Sequence, residues 1–396
     1  MLPVMLSIAF ACFLPVAGIF VAYFFLIIRS PRKPEYLRAI EEALSSALQS
    51  GELPQISILI PAYNEEKVVE TKLKDVAAMQ YPNDRREVLL IDDSSTDDTC
   101  MIAERVFREL DLPGRVIRNN MRIGVNGCYN RGLQESAGDL IATTDADVLV
   151  DHDALLNSVR VLQTLKHVGG VTARMVPVSS SQTTAVQVER PYRDFYDTMC
   201  IAESAIHSTF PGYTNFAMVH RSAFPIMPVE CGSSDGNISL AIVRKGLRFL
   251  YVPNIVFYEP IVDKLSEQVR QKARRGARMI QSAWANKDLL FNQKCGVFGT
   301  RIFPLRLLMM IVSPLLFLTG CLAILIAMAY VPIYWSSAIL LFLLMLYAGS
   351  KAGLPKVGLL WSLFLHQCYL LVGLLLSTRK RSVWRPVQRG SIVGRS

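Results

Sequence analysis

Charge is missing from three long stretches of this 396-residue chain. Residues 1–28 and 307–350 hold no charged side chain, and 357–378 hold only His366 as a titratable group. A bilayer span needs roughly 20 apolar residues, so runs of this length exclude a wholly soluble protein. Glycine is missing from "PAYNEEK", residues 61–67, which excludes a glycine-rich phosphate loop after the first apolar strand pattern. The eight cysteines contain no Cys-x-x-Cys pair, and Cys12, Cys321 and Cys368 fall in the apolar stretches. That is the usage of reduced cytosolic and membrane thiols, not of a disulfide framework. His152, His167, His207, His220 and His366 lack zinc-ligand spacing. There is no recognised nucleic-acid motif, internal repeat or low-complexity tract. The net charge of +9 therefore fits juxtamembrane basic residues against anionic lipid, or a cationic groove for a phosphorylated substrate, and not nucleic acid.

What is present divides the chain. Residues 1–29 form an N-terminal transmembrane helix; a cleaved signal peptide is the alternative, but the stretch lacks a basic beginning and is long enough to span. Residues 50–290 form an aqueous domain. Two or three C-terminal spans follow within 303–378, broken near Val331 and Pro332, and 379–396 is a basic tail. The flank "RSPRKPEYLR" follows the first span, so the positive-inside rule places the N-terminus outside and the aqueous domain in the cytoplasm of a multi-pass cell-membrane protein. Arg301, Arg306, Lys351 and Lys356 agree. The tail, with six basic residues, disagrees if all three C-terminal segments cross, and the sequence leaves its side open.

Within the aqueous domain strand and helix patterns alternate. "QISILIPAYNEE" starts as a strand that breaks at Pro61, and residues 65–79 read as a helix. Val88 to Ile91 form a buried strand and 99–110 an amphipathic helix. "GRVIRNN" is a third strand, 124–137 a third helix, and 140–144 a fourth strand. The pattern predicts an α/β domain with a parallel sheet covered on both faces. Ligands of such sheets bind beyond the C-terminal strand ends, where "PAYNEE", "DDSSTDDT" and "DAD" all fall.

Asp145 and Asp147 flank one alanine, so an extended chain aims both the same way. Crowded carboxylates are unfavourable without a cation or donors between them. With Asp92 and Asp93 nearby, the group fits Mg2+ or Mn2+ shared with a substrate's phosphates. The competing reading makes these acids turn formers and helix caps, as for Ser94, Ser95, Thr96 and Asp97.

Five segments together resemble glycosyltransferase family 2, the inverting enzymes that move a sugar from a nucleotide diphosphate to an acceptor hydroxyl. They are "PAYNEE", "DDSSTDDT", the stretch from "NNMRIG" to "TTDAD", "SSDGNISLAIVRKGLRFLYVPN", and "QKARRGAR" where membrane members carry Gln-x-x-Arg-Trp. A span before the domain and a cluster after it are similar to hyaluronan, chitin and poly-N-acetylglucosamine synthases and to ceramide glucosyltransferases. The resemblance implies a Rossmann-like GT-A fold, largely parallel with helices on both faces, plus transmembrane helices. It implies a UDP- or GDP-sugar donor, an acceptor on a lipid carrier or glycan, and Mg2+ or Mn2+ as cofactor. By carry-over Asp235 is the general base and Asp147 the metal ligand. Pro61, Ala62, Tyr63, Glu65, Asp92, Asp93 and Asp145 contact the nucleotide sugar, and Gln271, Arg274 and Arg275 contact diphosphate and acceptor.

Two positions depart from the family pattern: Ser234 precedes Asp235 where a glutamate is usual, and Arg275 replaces the tryptophan. The second departure weakens the case for a processive polysaccharide synthase, which stands as the alternative beside a catalytically inactive sugar-nucleotide sensor. Asp235 opens the apolar run "ISLAIV", so either it is a base on a helix whose inner side is buried or it is a helix cap. Arg270, Arg274 and Arg278 share a helical face, so the helix lies on anionic lipid with Trp284 at the headgroups, sets Gln271, Arg274 and Arg275 over the diphosphate and acceptor, or does both. "FPGYTNFAMVHRSAF" resembles the acceptor-side segment, or is a strand and turn of the core.

Overall fold

A computed structural model describes residues 1–48, 53–178, 184–211, 215–260, 265–351 and 354–378. The expected tail, 379–396, the domain's first residues, 50–52, and the "GYT" of the acceptor-side segment lie outside them.

Strands β1 (Ile56–Ala62), β2 (Arg86–Asp92), β3 (Gly114–Arg118) and β4 (Leu140–Thr144) pair in parallel, with β1 between β2 and β4. The remaining strands are β5 (Leu149–Val150), β6 (Val168–Val178), β7 (Phe216–His220) and β8 (Arg248–Pro260). Among the described residues they complete one eight-stranded sheet, ordered β3-β2-β1-β4-β7-β6-β8-β5. Insertion of β7 between β4 and β6 makes both of those pairings antiparallel, and β5 runs antiparallel to β8, while β6 and β8 are parallel. Parallel pairings thus prevail in a mixed sheet.

The helices are α1 (Leu2–Tyr23), α2 (Lys33–Ser45), α3 (Val69–Ala77), α4 (Thr99–Glu109), α5 (Gly124–Glu135), α6 (Ala154–Thr164), α7 (Thr184–Ile206), α8 (Ser234–Arg244), α9 (Leu265–Ala285), α10 (Phe303–Leu307), α11 (Ser313–Met328), α12 (Ile333–Lys351) and α13 (Pro355–Ser377). Strand alternation sorts the core onto two faces. Ile56, Ile58 and Ile60 join one apolar cluster with α2, α3, α4 and α6. Leu59, Leu89 and Ile91 join another with Cys128 and Tyr129 of α5 and Ile238 and Ile242 of α8. Covering both faces is what makes β1 and β2 nearly continuous apolar runs.

Helix α3 starts later than residue 65 because the chain before it is otherwise engaged. The amides of Asn64, Glu65 and Glu66 donate to Ser95 Oγ (3.0 Å), Thr99 Oγ1 (2.8 Å) and Asp97 Oδ2 (3.2 Å), stitching the first strand-end loop to the second.

Among the described residues three helices are long and apolar enough to cross a membrane, at Leu2–Ile28, Phe298–Met328 and Leu360–Ser377, with a shorter apolar helix at Ser337–Gly349. The break between α11 and α12 falls at Val331–Pro332 as the sequence predicts. A buried cluster joins this bundle to the domain. Glu203 of α7, with no exposed surface, accepts from Tyr23 Oη (2.6 Å), Arg306 Nε (2.6 Å) and Thr209 Oγ1 (2.9 Å), drawing α1 and α10 onto α7.

Candidate active site

The ends of β1 and β2 open a cleft of about 1010 Å³, whose wall here is Pro61, Ala62, Tyr63, Glu65 and Asp93. The Asp93 amide donates to the Ala62 carbonyl (2.8 Å), continuing the parallel ladder by one step. Asp93 and Asp92 then part company. Asp93 lines the cleft and accepts the amides of Ile123 (2.7 Å) and Gly124 (3.0 Å) at the start of α5. Its neighbour Arg122 lies 3.5 Å from the Tyr63 ring centroid, a cation–π contact that fixes the ring at the cleft mouth. Asp92 is buried, accepts the Ser95 amide at 3.2 Å and does not line the cleft. Its carboxylate holds the turn, so of this pair only Asp93 faces the cleft.

Just past the end of β4, Asp145 and Asp147 both line the cleft, together with the buried Ala146 between them; the chain turns here and is not extended, so the turn and not strand alternation aims the two acids. Beneath them lies Lys72 of α3, 1% exposed. Its Nζ donates to Thr144 Oγ1 and to the Val148 carbonyl, each at 2.9 Å, bracketing the two acids, and Asp75 lies 3.9 Å away. Burial lowers the Lys72 pKa, opposed by Asp75, Asp145 and Asp147. Burial raises the Asp145 carboxyl to about 7; Asp147, Asp235 and Glu259 push the same way and Arg275 opposes them. These acids thus crowd one another, and bound positive charge relieves the crowding. Among the described residues no three His, Cys, Asp or Glu side chains gather as a metal cage. A hard divalent ion suits such a place when one or two carboxylates hold it and substrate phosphates complete its coordination.

The facing wall comes from later in the chain. Ser233, Ser234 and Asp235 line it at the start of α8, where Ser233 Oγ caps the helix by accepting the Gly236 amide at 3.1 Å. The cap is Ser233, which leaves the Asp235 side chain to the cleft. Asn215, just before β7, and Arg274, Arg275 and Arg278 of α9 complete the wall. Arg275 Nη2 also donates to Glu259 Oε1 at 2.5 Å, so its guanidinium is anchored from behind. Burial lowers the Arg278 pKa against the nearby charges of Asp235 and Asp145. Gln271 is 9% exposed and does not line the cleft.

The structure therefore brings Pro61, Ala62, Tyr63, Glu65, Asp93, Asp145, Asp147, Asp235, Arg274 and Arg275 to one cleft and leaves Asp92 and Gln271 outside it. Sequence reasoning missed Asn215, Ser233, Ser234, Val125, Cys128, Ala146 and Arg278 as cleft residues. Arg278 carried a signal in its i+4 spacing from Arg274, and Asn215 in its place within the segment resembling the acceptor side.

Comparison with known proteins follows this geometry. The family model "Glycosyl transferase family 2" matches residues 57–224. That span ends before Asp235 and α9. Beta-monoglucosyldiacylglycerol synthase of Nostoc is 40% identical over 126 residues, 31% of this chain and 26% of that protein. A Methanococcus voltae dolichyl N-acetyl-alpha-D-glucosaminyl phosphate 3-beta-D-2,3-diacetamido-2,3-dideoxy-beta-D-glucuronosyltransferase is 25% identical over 309 residues, 73% of this chain and 92% of that protein. Several curated relatives are spanned over only 26% to 54% of their own length. The structure of a Pyrobaculum calidifontis mannosyltransferase, in complex with GDP-Man and Mn2+, superposes with a TM-score of 0.72 at 23% identity, covering 94% of this chain and 99% of that one. Residues 57–224 are therefore a glycosyltransferase family 2 domain, carried on a GT-A-like fold.

Proposed function

We propose that this chain is a membrane-anchored inverting glycosyltransferase, transferring a sugar from a UDP- or GDP-sugar to a hydroxyl of a lipid carrier or glycan with Asp235 as general base. One observation carries the reading: Asp93, Asp145, Asp147 and Asp235, distant in sequence, line a single cleft with three arginines opposite. The relatives named above act on lipid-linked acceptors by their names, and the superposed mannosyltransferase holds a nucleotide sugar with Mn2+, which supports the same class of chemistry.

The nucleotide lies along the strand-end wall, against Pro61, Ala62, Tyr63, Glu65 and Asp93, with Asp145 toward the nucleoside. Asp147 would hold Mg2+ or Mn2+; when bound, the ion neutralises charge on the departing diphosphate. Arg274 and Arg278 offer fixed guanidinium groups toward that same charge. Asp235 accepts the acceptor's hydroxyl proton as the acceptor oxygen bonds the anomeric carbon. The bond from that carbon to the diphosphate oxygen breaks on the opposite side, and its electron pair leaves with the nucleoside diphosphate. One displacement inverts the centre and needs no covalent enzyme intermediate.

The domains follow from the same reading: an anchor at 1–29, a cytoplasmic catalytic domain at 50–290, and two or three spans within 303–378 that keep the cleft at the bilayer surface. Arg275 stands anchored to Glu259 where the synthases present an aromatic ring, which favours transfer of a single sugar over processive synthesis. The test is incubation of the detergent-purified chain with labelled UDP- and GDP-sugars, Mg2+ or Mn2+ and membrane lipid, followed by mass spectrometry of the lipid extract. Metal-dependent release of nucleoside diphosphate with one added hexose is expected; the absence of both turnover and nucleotide binding across the panel would contradict the proposal.

A further inference from the structure

Helix α9 serves two surfaces at once. One side carries Arg274, Arg275 and Arg278 into the cleft. Another lies against α13, part of which is long and apolar enough to span a membrane. The two backbones nearly touch there: a Cβ on Gly373 would lie 3.0 Å from the Ala273 carbonyl oxygen and 3.1 Å from the Ala277 amide nitrogen. Ala273 and Ala277 immediately precede Arg274 and Arg278, so this contact sets where the arginines stand.

The last turns of α9 connect that helix to the loop bearing Asp235. Gln281 Nε2 donates to the Ser377 carbonyl at the end of α13 (3.0 Å), and its Oε1 accepts the Gly232 amide (3.1 Å). Gly232 has a φ of +81°, a backbone state that L side chains rarely adopt. The next amide, of Ser233, donates to Ser282 Oγ at 2.8 Å, and Ser233 caps the helix turn that holds Asp235. From the other side the buried Asn126 Nδ2 donates to the carbonyls of Pro228 (2.8 Å), Cys231 (3.2 Å) and Gly232 (3.3 Å). The loop is clamped between α5 and α9, and α9 takes its own position from α13.

We propose that Gln281 is a positioning residue for Asp235, and that through it α13 belongs to the active site and is not only an anchor. The proposal rests on the assignment of Asp235 as base. Its signature is a split between kinetic constants. The nucleoside-facing residues are set by the β1, β2 and β4 ladders, and the Gln281 bonds hold the segment before Asp235 and not the arginines, so losing those bonds alters the reacting geometry and not donor binding. A misplacement of about 1 Å costs on the order of a hundredfold in rate, and a relaxed loop forfeits part of that.

The experiment uses the full chain in detergent or nanodiscs, with kcat, donor KM and nucleotide affinity measured separately. Gln281→Met keeps the side-chain length and removes both hydrogen bonds; kcat should fall ten- to hundredfold with donor KM and nucleotide affinity within about twofold. Gln281→Glu can still accept from Gly232 but cannot donate to Ser377, and should lose kcat similarly. Gly373→Leu wedges α13 from α9 without touching Gln281 and should lower kcat by a similar factor, with a loss of donor affinity as well because Arg274 and Arg278 shift with the helix; it keeps the proposal testable if a Gln281 variant fails to fold. Unchanged kcat in Gly373→Leu, or full kcat in Gln281→Glu, overturns the role of α13. Equal losses in kcat and nucleotide affinity in the Gln281 variants overturn the positioning role. Asp235→Asn in parallel separates the failures: if it stays active the base assignment is wrong, and if it is inactive while the other variants are normal only this inference fails.

Discussion

One wall of the cleft is made of strand ends and the other of a helix, and different forces hold them. Tyr63, Asp93, Asp145 and Asp147 extend from β1, β2 and β4, whose paired backbones leave little room to shift. Amide-to-side-chain bonds stitch the first two loops together, and Lys72 ties down both ends of the turn carrying Asp145 and Asp147. Every one of these contacts lies within the aqueous domain. The helical wall has no such ladder. Its arginines stand on α9, the segment leading into the Asp235 turn of α8 is held by side-chain bonds to α9 and α5, and α9 leans on the apolar bundle. On the proposed function, the difference teaches that the nucleoside is held by the domain alone, while the arginines facing the diphosphate and the base take their places from the domain and the apolar helices together.

The comparison can be broken most forcefully at the base. Asp235→Asn should lower kcat by about 10³-fold or more, within reach of what a general base contributes, with nucleotide affinity nearly unchanged by calorimetry. Loss of affinity instead would move Asp235 to the nucleotide wall. Next comes the joint between domain and bundle. Glu203→Leu leaves the Arg306 guanidinium buried without its carboxylate, which typically costs about 3–5 kcal/mol. A markedly lower Tm is expected, whereas an unchanged Tm would show that the cluster does not join the two parts. The smallest effect tests the strand-end wall alone. Tyr63→Leu removes the ring beneath Arg122 and should raise donor KM roughly three- to tenfold, the scale of a partly exposed cation–π contact of about 1 kcal/mol, while leaving kcat in place. A fall in kcat with unchanged KM would reverse the assignment of the two walls.

The strand-end wall was legible because its signals are local. The apolar run of β1 and the turn-rich "DDSSTDDT" declare their own geometry, and the pair Asp145 and Asp147 marks the cleft correctly although a turn, not an extended strand, aims them there. Choosing between Asp92 and Asp93 was not possible, since one holds a turn and the other faces the cleft only because α5 begins where it does. Lys72 left a trace: it sits among Val69, Leu73 and Val76 on the buried face of α3, where a lysine needs acceptors. The helical wall was legible in parts only. Asn215 reaches the cleft through the antiparallel insertion of β7, a long-range pairing that no local pattern encodes. Gln271 shares a helix face with Arg274 and Arg275, yet one turn further back along α9 it is buried outside the cleft.

The account's central claim is that acids from separate strand ends receive a nucleotide diphosphate together with a cation. Titration of the detergent-purified chain with UDP and GDP, with and without Mn2+, tests it directly when Asp147→Ala is measured alongside. The account predicts at least tenfold tighter binding of one nucleotide in the presence of Mn2+, and no such gain in Asp147→Ala. Binding that ignores Mn2+ in the unaltered protein, or a metal response that survives loss of Asp147, would contradict it.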